Sequence, residues 1–566
     1  MRLPLTFPVH RTRRGACGLT AALVVALGLA PASLTVAQNL PPAAEPPALV
    51  SGGLPGLGDG QGMSIAAERR LGDRIARDIY RDPDYLDDPV LGDYLQAIWQ
   101  PLLAAARARG DVPPELSERL AWELMISRDR RVNAFALPGG YLGVHLGLIA
   151  ATDSAAELGS VMAHELSHVS QRHIARLVAR QDRMAPWMMG AMILSALAAR
   201  ANTEVASAAM LGSQAVAAQT QLNFSRDMER EADRVGFGVL TGAGFDGQGF
   251  VDMFDKLQQA SRLSDDGSFP YLRSHPLSSE RMADMRARLP LEPTRPAVGP
   301  LRDAPFAPAP AGPGLALNLP AGTGGAMNGA PTLRSAAPVA PELHTLMAAR
   351  ARVLAENGPD RLRAWLQSGQ GPQAATGERY AAAWAALRLG QPDRALDLAQ
   401  RLRPQVVPAA HWVVDALLLE VLLTAPPATG PAATARAEAL AALRDQALAG
   451  SGRTLTLLGA QAALATGEPQ RAATHLQNWV VQHPRDALAW QTLARAYQAQ
   501  GQTLRAIRAE AESRVAHLDY AGAVDRFKAA QALPAAQRAA DPMELAIVDS
   551  RLRQAEVLLR ESVLEE

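Results

Sequence analysis

From about Ser64 to residue 110, apolar positions recur at three- and four-residue spacing, interrupted at Asp82-Pro83 and Asp88-Pro89. That pattern predicts helices separated by short turns. Pro113-Pro114 opens another short helix. Near Trp122 the period changes. WELMISRD and VNAFALP read as strands joined by a polar turn, Pro138-Gly139-Gly140 as a second turn, and YLGVHLGLI as a third strand. Helical spacing returns at Ser154 and is expected to persist to about Arg180. An Ala- and Met-rich stretch covers 185–222, another helix is expected over about 224–241, and loops with a short helix lead to Leu289.

Residues 290–340 break the pattern. Segments such as FAPAPAGPG and PAGTGGAMNGAP bury too little apolar area to fold alone, so a flexible linker between two domains is expected. From 341 to 566 the pattern is almost wholly helical and repeats itself. Gly467 and Gly501 are 34 residues apart, and each is followed five residues later by Ala, at Ala472 and Ala506. Trp490, Leu493, Ala494 and Tyr497 lead into Gly501, and weaker copies occur around Gly390 and at Asp519-Tyr520. The period resembles the tetratricopeptide repeat, whose stacked helix pairs present a concave surface to polypeptide.

The amino terminus reads as an export signal. Arg2, Arg11, Arg13 and Arg14 precede an apolar stretch from Leu19 to Ala30, and Thr35-Val36-Ala37 offers small residues for cleavage. A signal peptide over 1–37 and a Pro-, Gly- and Ala-rich linker over 38–63 are expected, with an uncleaved anchor as the alternative. Cys17 precedes the apolar stretch, which argues against a lipid-modified cysteine. WMMGAMILSALA, starting at Trp187, is too short to span a bilayer. The surrounding 185–222 stretch is open to three readings: a cover over a cleft, a peripheral membrane contact, or a core hairpin.

Composition narrows the chemistry. The 566 residues exceed one ordinary domain, and 48% hydrophobic content supplies a core. Lys+Arg 56 against Asp+Glu 56 leaves no positive field for general nucleic-acid binding. A single cysteine rules out a disulfide framework and a multi-cysteine metal site, so any bound metal must use His, Asp and Glu.

Such a set is present. His164-Glu165-Leu166-Ser167-His168 is H-E-x-x-H within a helical pattern. Residues four apart share a helix face, so both imidazoles reach one ion, and Glu165 projects beside them, placed to take a proton from an attacking water. A tetrahedral zinc centre needs a third protein ligand and an open position. A third His six residues on fails, because that position is Ile174. His173 points off the ligand face and is expected to be structural or to support a ligand from behind. A downstream carboxylate remains. Glu229 and Asp233 in EREAD share a helix face, Glu229 as ligand and Asp233 hydrogen-bonding a ligand, while Glu231 lies off that face.

HELSH followed by EREAD resembles the zinc metallopeptidases that include the CaaX prenyl proteases and HtpX. Further matching stretches are NAFALPGG, SRDMEREADRVG and RSHPLSSER. The resemblance implies a mainly α fold: an α+β zincin-type domain with a small sheet over 64–289, then a helical repeat solenoid over 341–566. It implies one zinc held by His164, His168 and Glu229, Glu165 as general base, and Asp233 as a supporting acid or proton donor. It also implies that His275 can take the fourth zinc position and hold the enzyme inactive; by residues alone His275 is a loop histidine before Pro276. Members with carboxy-terminal repeats and no membrane span imply a periplasmic metalloendopeptidase and chaperone in outer-membrane quality control. Such a protein promotes assembly of β-barrel proteins or degrades stalled ones, and its repeats contact client or the barrel-assembly machinery. Two alternatives stand beside this: a zinc-containing scaffold without proteolysis, and a general scavenging protease. VNAFALP or YLGVHLGLI is expected to offer the edge on which substrate lies as an added strand.

Overall fold

The computed structural model describes residues 63–180, 226–263, 269–289, 338–426 and 429–564. The expected signal peptide 1–37, nearly all of both linkers and the 185–222 stretch lie outside the described residues.

Local chemistry sets the first elements. Ser64 caps α1 (Ile65–Arg81) by accepting from the Ala67 N–H at 3.1 Å. The chain then passes through β1 (Tyr85–Leu86) to Asp88, which caps α2 (Pro89–Arg109) with Pro89 in its first turn. After α3 (Pro114–Arg119) come β2 (Glu123–Ser127), β3 (Ala134–Leu137) and β4 (Tyr141–His145). The strand order is β1-β2-β4-β3, with β2 and β4 parallel and both outer pairings antiparallel. β4 is therefore interior and β3 is an edge. Gly139 and Gly140, at φ 78° and 87°, make the turn between them.

Two expectations need correction. The strand from Tyr141 ends at His145, and Leu146–Ala151 is a short helix, α4. A short run of apolar residues carries no period that tells strand from buried helix. The helix from Ser154 is also not continuous to Arg180. It divides into α5 (Ala155–Ser170) and α6 (His173–Arg180) at Arg172, whose φ is 52°. Arg172 is held there by the buried Glu68 carboxylate at 2.8 Å, from α1. The remaining elements before residue 290 are α7 (Arg226–Gly242), α8 (Gln248–Leu263), α9 (Tyr271–Ser274) and α10 (Ser279–Ala287).

From Pro341–Leu354 to Pro542–Leu564 the chain is a succession of helices. Gly390, Gly467 and Gly501 have φ of 71°, 78° and 73°, and Leu518 has 59°. At each, the next residue's N–H bonds the carbonyl five residues back: Gln391 to Ala386, Glu468 to Ala463, Gln502 to Tyr497 and Asp519 to Arg514. This is one recurring left-handed helix closure. Ala472 and Ala506 are buried behind it. Among the described residues, no helix is long and apolar enough to cross a membrane.

Residues on either side of 290–340 share one core. Tyr94, Ile98 and Trp99 of α2, Leu158, Met162 and Leu166 of α5 and Leu240 of α7 join Leu346, Met347, Leu417 and Val421 in a single hydrophobic cluster. Polar contacts lock the same boundary. His344 bridges the Tyr94 hydroxyl and the Thr152 carbonyl at 2.5 and 2.8 Å. Arg350, 1% exposed, meets Asp88 at 2.7 Å and Glu420 at 2.6 Å, under Trp384 at 4.5 Å. Removing one member of a buried ion pair strands the others. Arg350→Ala should therefore cost about 3–5 kcal/mol in urea unfolding; a loss under about 1 kcal/mol would show that the boundary is not held this way.

Candidate metal centre

Ser154 starts α5, its hydroxyl accepting from the Glu157 N–H at 3.1 Å, and three turns later the helix presents His164 and His168 on one face. α7 crosses this face closely because of Gly236. A Cβ there would stand 3.1 Å from the Ala163 carbonyl oxygen and the His164 nitrogen, both backbone atoms. The crossing brings Glu229 and Asp233, one turn apart on α7, against the two imidazoles. The residue after α9, His275, enters from the other side.

The result is a buried four-residue cluster. His164, His168, Glu229 and His275 offer ligand atoms that all lie within 4.8 Å of one another, and each residue is at most 3% exposed. His164 Nε2 lies 2.9 Å from His168 Nε2, 3.3 Å from His275 Nδ1 and 3.5 Å from Glu229 Oε2. Glu229 Oε1 lies 3.6 Å from His168 Nε2 and 3.1 Å from His275 Nδ1. Ligands about 2.0–2.1 Å from a tetrahedral zinc are separated from each other by roughly 3.4 Å. The spacing of these nitrogens and oxygens thus fits one small divalent cation. The donor set, imidazole with one carboxylate, suits the same choice.

The atoms facing away from the cluster are also engaged. His164 Nδ1 is paired with Asp233 Oδ1 at 3.0 Å, which turns Nε2 inward. His168 Nδ1 is 2.8 Å from His173 Nδ1, and His173 Nε2 is 3.2 Å from Glu231. The break at Arg172 turns His173 back to this position. The Asp233 carboxylate sits behind His164 and is paired to Arg281. Glu165 differs. Its Oε2 accepts from the Ala136 N–H of β3 at 2.9 Å, and its Oε1 is 3.4 Å from His275 Nε2.

Burial and neighbouring charge compete at each group. Burial works against the His164 cation, but Asp233 and Glu229 prevail and raise its pKa to about 9. At His168, burial and the nearby His164 hold the pKa well below the ordinary value. Burial lowers His173 to about 4, despite Glu231. Burial opposes ionisation of Glu229 as well, yet His275 and His164 drive its pKa down. Burial raises Glu165, against the His275 and His164 charges. The carboxylate facing the metal ligands is thus kept ionised, and the one beside the edge strand is biased toward holding a proton.

The sequence reading overlooked Arg281 and Tyr271. Tyr271 stacks on His275, with ring centroids 4.7 Å apart. Arg281 ends the stretch RSHPLSSER, six residues after His275.

An α+β domain with H-E-x-x-H on one helix and a ligating-type carboxylate on another defines a metallopeptidase class. Residues 94–289, which hold HELSH and EREAD, match the model described as peptidase family M48. The relatives are more particular. Over 261 residues the chain is 33% identical to the beta-barrel assembly-enhancing protease of Escherichia coli strain K12, covering 45% of this chain and 50% of that one. It is 35% identical over 239 residues to the protein of that name from Yersinia pestis, covering 42% and 47%. It is 31% identical over 164 residues to the mitochondrial metalloendopeptidase OMA1 of Arabidopsis thaliana, covering 29% and 31%. The chain spans about half the length of the bacterial relatives it matches.

If Asp233 orients His164, Asp233→Asn should weaken metal affinity about 10–100-fold, read by competition with a chelator. Unchanged affinity would remove Asp233 from the site's support.

Proposed function

We propose that the protein is an exported zinc metalloendopeptidase of the bacterial periplasm, acting on unfolded β-barrel outer-membrane proteins. The observation that carries this reading is the convergence of His164, His168 and Glu229 on one point, with Glu165 alongside and an edge strand next to it. The export-signal pattern in 1–37 supports the compartment, and the names of the bacterial relatives support the class of client. The recurring helix closure, with Gly467 and Gly501 34 residues apart, supports tetratricopeptide repeats, which would hold the client or the barrel-assembly machinery.

The donor set fits zinc, held by His164, His168 and Glu229. Zinc there supplies Lewis-acid polarisation of a scissile carbonyl and makes an attacking water more acidic. The remaining work falls to the chain. β3 presents its open edge to an extended substrate, which pairs with it as an added strand. Glu165, tethered at Oε2 by the Ala136 N–H of that strand, takes the water's proton at Oε1 and returns it to the leaving amine. Anchoring the base to the substrate-binding strand fixes the distance between proton carrier and peptide bond. Asp233 keeps His164 in its ligating tautomer.

His275 fills the fourth ligand position and approaches Glu165 at 3.4 Å, where water would need to be. The arrangement is a self-blocked resting state. Complete burial of the cluster also favours a second reading, a permanently plugged scaffold.

Casein cleavage separates the two. Wild type, or His275→Ala if wild type is fully blocked, should cleave casein. Glu165→Gln should lose about 10²–10⁴-fold in rate while retaining zinc, measured by metal analysis. Cleavage by neither wild type nor His275→Ala would favour the scaffold. A Glu165→Gln trap that retains soluble proteins but no outer-membrane barrels would favour a general scavenger.

A further inference from the structure

Arg281 is a buried cation that the proposed chemistry does not use. It lies in the first turn of α10, is 5% exposed, and sits over the Phe254 ring at 5.4 Å. Its guanidinium reaches three groups. Nε and Nη2 donate to Asp233 Oδ2 and Oδ1 at 2.6 and 2.8 Å, a two-bond fork. Nη1 lies 2.9 Å from Glu229 Oε2. The same Nη1 donates to the carbonyl of Pro276, the residue after His275, at 2.7 Å.

The contacts separate into two jobs. The first is electrostatic. Glu229 and Asp233 are one turn apart on one face of α7, and two buried carboxylates at that spacing repel each other. A shared guanidinium offsets that repulsion, and its planar fork matches the Asp233 carboxylate. The second is mechanical. The Pro276 carbonyl belongs to the loop joining α9 to α10, so its bond to Arg281 ties that loop to α7. Ser278 closes the same loop from within, its hydroxyl accepting from the Arg281 N–H at 3.3 Å. His275 is thereby held in the cluster from behind, while Tyr271 stacks on its ring. For His275 to leave, either the Pro276 carbonyl must give up its buried, charge-assisted hydrogen bond, or Arg281 must move and release the carboxylates.

The geometry points to Arg281 as a latch: one side chain couples the placement of the blocking His275 to the placement of Glu229 and Asp233. Seating of the loop and integrity of the metal ligands then rise and fall together. Arg281 acts through other residues, so it is a positioning residue. The inference rests on the reading of His275 as the blocking fourth ligand.

The test uses the full-length, zinc-loaded protein. Hydrogen exchange is followed at residues 271–278, with the helix His411–Thr424 as a control for folding. In Arg281→Lys, which keeps the charge and loses the fork, amide exchange at 271–278 should quicken at least about tenfold, the scale of one lost charge-assisted hydrogen bond. Transfer of zinc to a colorimetric chelator should quicken together with it, and the control helix should be unchanged. Asp233→Asn, which loosens the latch from the opposite end, should quicken exchange in the same loop. Loop exchange at the wild-type rate in both variants overturns the latch, even if zinc is lost faster, because Arg281 then serves the carboxylates alone. If Arg281→Lys disturbs the control helix, Asp233→Asn decides by the same criterion. Failure of wild type to take up zinc would overturn the metal centre instead, and the exchange comparison in zinc-free protein would still report on the latch.

Discussion

The crossing of α5 and α7 is the contact on which the rest depends. With His275 and Arg281 from the loop and helix packed beside it, it gathers three imidazoles, three carboxylates and a guanidinium into a volume with almost no access to water. Burying so many ionisable groups is unfavourable unless each finds an opposite charge or a hydrogen bond. The groups are arranged so that each does: Asp233 stands between His164 and Arg281, and Glu229 between the histidines and Arg281. The two His Nε2 atoms lie 2.9 Å apart, a spacing that one shared proton or one cation can bridge. The crossing is this close because position 236 is glycine: a Cβ there would stand 3.1 Å from the α5 backbone at Ala163 and His164.

The parts of this centre that are local in sequence were legible. His164, Glu165 and His168 lie within two turns of one helix, so helical geometry alone places them together. Glu229 and Asp233 are also one turn apart, but nothing in that spacing says that their helix meets α5; the likeness to a family made the connection. Arg281 was invisible because its ties to the site run through α7, about 50 residues away. For His173, what was not legible is the path that brings it behind His168. An unbroken helix would turn it from the ligands, and only the left-handed Arg172, held by Glu68 from 104 residues earlier, brings it behind His168.

The larger architecture follows the same division. The turns at Gly467 and Gly501 could be read from their 34-residue spacing, because each helix closure is written locally. The seating of the carboxy-terminal helices could not. Proline-rich composition over 290–340 speaks only for that segment, whereas the apolar faces of Leu346, Met347 and Leu417 meet α2 and α5 directly. With Arg350 buried between Asp88 and Glu420, these helices stand in a fixed relation to the sheet and the metal centre. In the proposed function, a client held by the repeats is thereby presented to β3 from a set direction, which lowers the entropy cost of engaging the site.

X-ray absorption at the zinc edge of the purified, loaded protein tests the central claim most directly. The account predicts one zinc per chain with three nitrogen ligands and one oxygen at about 2.0–2.1 Å, and loss of the oxygen contribution in Glu229→Ala. A zinc whose first shell is the same in wild type and Glu229→Ala, or a chain that binds no zinc at all, would contradict the convergence of α5 and α7 on a single ion.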